Sequence, residues 1–297
     1  MKSVRAAGAA LAIALTALAL SGCAGRASGA GSIPRGKDRN LTIDQLLQKG
    51  KALLERRKYF RARATLEQIQ SRPDASRDTL ADVNLLIADA YFHDGGVINL
   101  AESLSRYTSF LTFYPTHPRA DYAQYHLGLS YLKQALAPDK DQATTRKALE
   151  AFRLVEAEHP ASEWVGPARE QMLKCKERLA EAEVRVGLFY MKRKAWKGAV
   201  ERFRSVLDGY PQYSRLDRAY FELARSLRKA RRPDEALIYY RQLLERFPGS
   251  HYASDARDAL GAEVKPPEKA DAGGEPQGDA KDGAETPRPD GSGGRNP

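Results

Sequence analysis

The side chains best suited to nucleophilic, acid–base or metal chemistry in this 297-residue chain are five histidines, His93, His117, His126, His159 and His251, and two cysteines, Cys23 and Cys175. Their spacing assembles no site. There is no His-Glu-x-x-His to hold zinc on one helix face and no Cys-x-x-Cys, and His117 and His126 are nine residues apart across a helix start. Gly95-Gly96 is not followed by Gly-Lys-Ser or Gly-Lys-Thr, so no loop cradles a phosphate, and there is no Gly-x-Ser-x-Gly. Acid pairs such as Glu156 and Glu158 are two apart, a spacing that points them to different sides of a helix. The expectation is a protein that is not an enzyme and needs no cofactor or metal.

Cys23 stands apart because of what precedes it. Lys2 and Arg5 lead into an apolar run, Ala6 to Leu20, too short and alanine-rich for a comfortable membrane span, and the run ends in Leu20-Ser21-Gly22-Cys23. That ending resembles the lipobox of bacterial lipoproteins, in which cleavage before the cysteine leaves it carrying lipid. The residue after it is Ala24 rather than Asp, which in that resemblance points to an outer-membrane, lipid-anchored protein facing the periplasm. A lipidated Cys23 cannot pair, so no intramolecular disulfide is expected. Cys175 falls in a helical stripe with Met172, Leu179, Ala182, Val186 and Tyr190 and reads as a small buried hydrophobe.

The elements between are set by a recurring junction. An aromatic or histidine before proline appears as Tyr114-Pro115, His159-Pro160, Tyr210-Pro211 and Phe247-Pro248, with a weaker Arg72-Pro73. Proline disfavours helix at the residue before it and has no N–H to continue one, so each junction ends a helix. A 34-residue tetratricopeptide template asks for a small residue at position 8, an aromatic at 11, Ala at 20, a large apolar residue at 24 and Pro at 32. Gly187, Tyr190, Ala199, Phe203 and Pro211 meet it from Ala180 onward. The last unit gives Ala224, Leu227, Ala236, Tyr240 and Pro248, and the first gives Gly50, Leu53, Ala62 and Leu66 with Pro73 one place early. Two irregularities stand out: an insertion around Ala135 to Thr145, of the kind that often carries binding, and an over-long interval at Val165 to Lys194, which predicts one long helix with Pro167 in its first turn. The fold expected is all-α, a tetratricopeptide-like superhelix of about five helix pairs, with one long central helix as a spine between two groups of repeats.

The domain organisation follows: residues 1–22 a signal peptide, 23–40 a lipidated flexible tether, 41–262 the repeat domain, and 263–297 a disordered tail without aromatic residues. Of the net charge of +10, the signal carries +2, the tether +3 and the tail −3, which leaves +8 on the repeats. The cations alternate with Glu and Asp along the helices, the pattern of a solvated surface more than of a polyanion patch.

Phe113-Tyr114-Pro115-Thr116-His117-Pro118, then Asp121-Tyr122-Ala123, Tyr125 and Gly128-Leu129, resemble the signature of the BamD (ComL) family, tetratricopeptide lipoproteins of the β-barrel assembly machinery. The Asp-containing insertion before Arg146-Lys147-Ala148, the run Lys176-Glu177-Arg178-Leu179-Ala180, and Tyr190 followed by Ala195-Trp196 and Arg202 extend the resemblance over about Leu41 to Pro248. It implies a scaffold whose N-terminal repeats recognise unfolded outer-membrane proteins and whose C-terminal repeats bind the periplasmic domains of the central barrel subunit, with no nucleic acid expected. Candidates for the peptide groove are Tyr91, Phe92, Asn99, His117, Tyr122 and Tyr125, with Arg202 for the barrel-subunit contact. Two other classes compete: another envelope tetratricopeptide lipoprotein, such as a pilus-secretin pilot or a cell-division coordinator, and a lipoprotein that binds a polyanion or peptidoglycan.

Overall fold

A computed structural model describes residues 40–264, and among them are eleven α-helices and no strand. The signal segment, Cys23, all of the tether except Asn40, and the tail beyond Val264 lie outside the described residues. The chain forms two compact units, divided between Lys133 and Gln134. The first contains α1 (Ile43–Glu55), α2 (Tyr59–Gln70), α3 (Arg77–Asp94), α4 (Gly96–Phe113) and α5 (Ala120–Lys133). The second contains α6 (Ala143–Glu158), α7 (Val165–Lys192), α8 (Trp196–Gly209), α9 (Leu216–Lys229), α10 (Pro233–Arg246) and α11 (Ala253–Val264). Within each unit every helix packs against the next in sequence, as an array of helix pairs requires.

The junctions explain the boundaries. Tyr114, His159, Tyr210 and Phe247 all sit at φ between −131° and −135° and ψ between 53° and 61°, outside the helical region that a following proline disfavours. Each still donates its N–H to the carbonyl four residues back, for example Tyr114 to Phe110 at 2.8 Å and Phe247 to Leu243 at 2.8 Å. Its own carbonyl then accepts the N–H three residues on, as His117 donates to Tyr114 at 3.1 Å and Tyr213 to Tyr210 at 3.0 Å. The next helix opens from that turn. At the chain's first helix a capping box does the same work, with Thr42 Oγ1 accepting the Gln45 N–H at 3.3 Å and Gln45 Oε1 accepting the Thr42 N–H at 3.0 Å.

The opposite turns, α1–α2, α7–α8 and α9–α10, share another geometry. Arg57, Lys194 and Arg231 take left-handed backbone, with φ of 55°, 58° and 62°. The following N–H reaches back five residues in each case, Lys58 to Leu53, Ala195 to Tyr190 and Arg232 to Leu227, at 2.8, 2.9 and 3.0 Å. These are Schellman closures, normally occupied by glycine. A side chain there costs about 1 kcal/mol that glycine would not.

The pairs interlock through the template's small and large positions. Gly187 on α7 faces the fully buried ring of Phe203 on α8, where a Cβ would come within 2.7 Å of Phe203 Cζ. Gly50 on α1 faces Leu66 on α2 in the same way. The close approach lets Phe203 join a core with Val184, Val206, Leu223, Leu227 and Leu243, and burying such a side chain contributes roughly 1.5–3 kcal/mol.

The long helix is present over Val165–Lys192, but it is not a spine between two groups of repeats. It lies inside the second unit, packed on α6 and α8, and the chain divides earlier, where the insertion begins. The inserted loop is held down within that unit: the Arg178 guanidinium donates to the carbonyls of Leu136 at 2.5 and 2.9 Å and Ala135 at 3.2 Å, and Gln142 Nε2 donates to that of Ala137 at 2.8 Å. Met172, Cys175, Leu179 and Ala182 form the expected buried stripe, and burial pushes the Cys175 thiol up to about 11. Val186 is 37 % exposed, because a seven-residue spacing drifts by about 20° per repeat on a straight helix. Val184 and Gly187 take over the inner face.

Replacing Gly187 with Leu is expected to destabilise the fold by about 1–3 kcal/mol through overpacking against Phe203. Adding Phe203→Ala should recover part of that loss in thermal melts; two additive losses would show that the two positions do not interlock.

Candidate functional site

The polar centre of the first unit is built on α3. Leu85, Ala88, Asp89 and Phe92 follow one another at helical spacing and all four are buried, so the fold carries a carboxylate on a core-facing stripe. Such a group needs partners. Tyr107 on α4 donates its hydroxyl to Asp89 Oδ1 at 2.6 Å, and Tyr122 on α5 donates to the same oxygen at 2.9 Å. Arg119 places a guanidinium nitrogen 4.0 Å from Asp89 Oδ2 and its charge 4.6 Å from the centre of the Tyr122 ring. Burial raises the Asp89 pKa even against these partners, and burial together with the Asp89 charge raises both tyrosines far above their usual range. One carboxylate thus ties α3, α4 and α5 together.

His126, one turn after Tyr122, completes the cluster. Its ring lies 4.1 Å from that of Tyr122, 5.3 Å from Phe92 and 5.8 Å from Tyr107. Burial, followed by the charges of His93, Arg119 and Lys133, depresses it to about 3, so at neutral pH it is an uncharged member of an aromatic wall. Lys133 sits 3.6 Å over the Phe92 ring.

Asp89 also borders an open cleft of about 550 Å³, lined with Leu54, Glu55, Arg57, Tyr59 and His93. Tyr59 stacks on His93 at 6.0 Å, and burial lowers the His93 pKa. The cleft brings cationic, aromatic and carboxylate groups together within one helix array, beside a cluster in which the tyrosines are held protonated and His126 is held neutral.

The sequence candidates divide by position. Tyr122 belongs to the Asp89 cluster. Tyr91 is half-buried beneath the Arg63 guanidinium, 4.3 Å from its ring centre, and Arg63 is itself paired to Asp94 at 2.8 Å. Phe92 and Tyr125 are in the interior, at 5 % and 8 % exposure. His117 stands in the α4–α5 turn, where its Nδ1 accepts the Arg119 N–H at 3.2 Å and its ring meets Phe110 edge-on at 5.3 Å. Asn99 lies half-buried in the first turn of α4. In the second unit Arg202 on α8 pairs with Glu183 on α7 at 2.9 Å, which raises its pKa, and stays 43 % exposed. Cys23 is outside the described residues.

Asp89, His126, Arg119, Arg57, Tyr59 and His93 were not among the groove candidates read from sequence, where His93 and His126 figured only as scattered histidines. A signal did exist for the first two: an acid at i+4 from Leu85 and a histidine at i+4 from Tyr122 each occupy an apolar face. The cleft residues come from α1, the α1–α2 turn, α2 and α3 and have no common sequence signature.

The depressed His126 pKa sets a pH dependence. The unfolded chain binds a proton near pH 6.5 that the folded chain refuses until about pH 3, so His126 makes stability fall as pH drops through that window. The loss is on the order of a few kcal/mol. A His126→Phe variant is expected to lose less stability between neutral pH and pH 4 in denaturant titrations. Asp89→Ala, which takes the carboxylate acceptor from the buried Tyr107 hydroxyl and from the half-buried Tyr122 hydroxyl, should cost about 1–3 kcal/mol at pH 7.

Residues 39–231 match the YfiO family model, described as outer membrane lipoprotein, and residues 218–250 match a tetratricopeptide repeat model. The chain is 26 % identical over 246 residues to the outer membrane protein assembly factor BamD of Caulobacter vibrioides, covering 83 % of this chain and 78 % of that one. It is 28 % identical over 253 residues to the BamD of Neisseria meningitidis serogroup A, covering 80 % and 91 %. With a family model spanning about two thirds of its length and helices from both units, the chain belongs to the YfiO family of outer membrane lipoproteins.

Proposed function

We propose that this protein is a lipid-anchored, non-enzymatic scaffold of outer-membrane protein assembly, working at the periplasmic face of the outer membrane as part of the β-barrel assembly machinery. The observation that carries the reading is the family match across helices of both units, together with relatives named as outer membrane protein assembly factors. In this reading the Cys23 lipid holds the protein at the membrane.

The first unit receives unfolded outer-membrane proteins at the cleft beside Asp89. Arg57, Tyr59 and His93 face the peptide, Tyr122 and Tyr91 support that wall, and buried Phe92 and Tyr125 fix its shape from behind. An extended or helical segment in such a groove is held by aromatic and polar side chains of successive helix pairs. The second unit contacts the periplasmic domains of the central barrel subunit, with Arg202 exchanging part of its pairing with Glu183 for a partner carboxylate.

A photo-crosslinking residue at Tyr59 or His93 in the living envelope is expected to trap unfolded outer-membrane proteins, and one at exposed Glu67 on α2 should trap none. Equal capture at both would remove the cleft assignment. For the partner contact, Arg202→Gln combined with Glu183→Gln removes a partly exposed pair worth about 1 kcal/mol without leaving a charge unmatched. Recovery of the barrel subunit in pull-downs should fall while the melting temperature holds; unchanged recovery would discard Arg202 as the contact.

A further inference from the structure

The left-handed turns of the second unit have a property that folding alone does not ask for. Lys194 and Arg231 occupy backbone positions that glycine would fill with less strain, at φ of 58° and 62°. The α7–α8 and α9–α10 turns that carry them border a shallow cleft of about 630 Å³. Its lining includes four exposed cations, Lys194, Lys197, Lys229 and Arg231, beside the indole of Trp196, and no carboxylate. None of the four is within ion-pair distance of a carboxylate among the described residues. Glu235 on the first turn of α10 does not line the cleft, and it is engaged by Arg204 at 2.7 Å and Arg232 at 2.5 Å. One turn back along α7, Phe189 is 54 % exposed with the Arg193 guanidinium 5.1 Å from its ring centre.

We propose that this cleft is a binding site for the phosphate headgroup of anionic phospholipid. Four ammonium and guanidinium groups converging without acids provide the counter-charge for a phosphodiester. The indole and the exposed phenylalanine beside them supply the amphipathic rings that settle at headgroup depth, which a soluble anion would not use. A member of an outer membrane lipoprotein family works within reach of such headgroups. The long cationic side chains at the two turns are kept in place of glycine because they hold the lipid.

The test uses the chain from residue 23 onward with Cys23→Ser, so that acylation does not itself drive membrane binding, in co-sedimentation with vesicles. Binding is expected to phosphatidylglycerol-containing vesicles, to be weak to pure phosphatidylcholine, and to diminish with added salt. Lys194→Gly with Arg231→Gly should weaken binding by roughly tenfold or more, the effect of removing two cations near an anionic surface. The same variant should melt at or above the parent temperature, since glycine relieves the left-handed strain. Arg153→Ala with Lys174→Ala, which removes two exposed cations of the same unit outside the cleft, should bind as the parent does. With Trp164→Phe, the Trp196 emission should shift on adding the anionic vesicles and not on adding inorganic phosphate. The proposal is overturned if both vesicle types bind alike, if the two double variants weaken binding equally, or if inorganic phosphate or polyglutamate occupies the cleft while phosphatidylglycerol does not.

Discussion

The structure depends on two helices of a pair coming close enough for one side chain to occupy the space where another has been left out. Gly187 under Phe203 and Gly50 under Leu66 are the clearest instances, and in each the missing Cβ is what admits the large side chain. Without that approach Phe203 could not take its buried place in the core it shares with Leu223 and Leu243, and that core would lose its link between α7 and α8. The aromatic–proline junctions serve the same end. They stop each helix at a length that puts the small position of one opposite the large position of the next.

On this frame each unit carries the cost of a buried carboxylate, Asp89 in the first and Glu222 in the second. A buried carboxylate in a helix array is expensive unless its hydrogen-bonding capacity is met, and Asp89 is met from two other helices at once. The same arrangement holds Tyr107 and Tyr122 in their protonated forms, and the aromatic wall with its surrounding cations keeps His126 neutral. The network fixes the wall of a cleft whose mouth is Arg57, Tyr59 and His93.

The charge of the body shows the limit of counting residues along a chain. Lys and Arg alternate with acids in the sequence, and many pair in the fold, among them Arg202 with Glu183, Arg204 with Glu235 and Arg185 with Glu181. Part of the excess those pairs leave lies at two turns, where Lys194, Lys197, Lys229 and Arg231 gather around one cleft although 37 residues separate Lys194 from Arg231. Packing consecutive pairs side by side brings together turns that are far apart in sequence.

The sequence alone determined the helix-pair architecture, the positions of its stops and the family, because proline before a turn and a small-to-large pattern act locally and leave a local trace. It also determined the burial of Cys175 and the extent of the long helix, since helical periodicity reports an inner face directly. Only the tertiary structure decided that Phe92 and Tyr125 are interior, that Asp89 gathers tyrosines from two other helices, that the insertion is fastened by Arg178, and that the chain divides before α6 rather than at α7. Each of these turns on which side chains meet across helices distant in sequence, and no spacing along the chain encodes the distance between two faces.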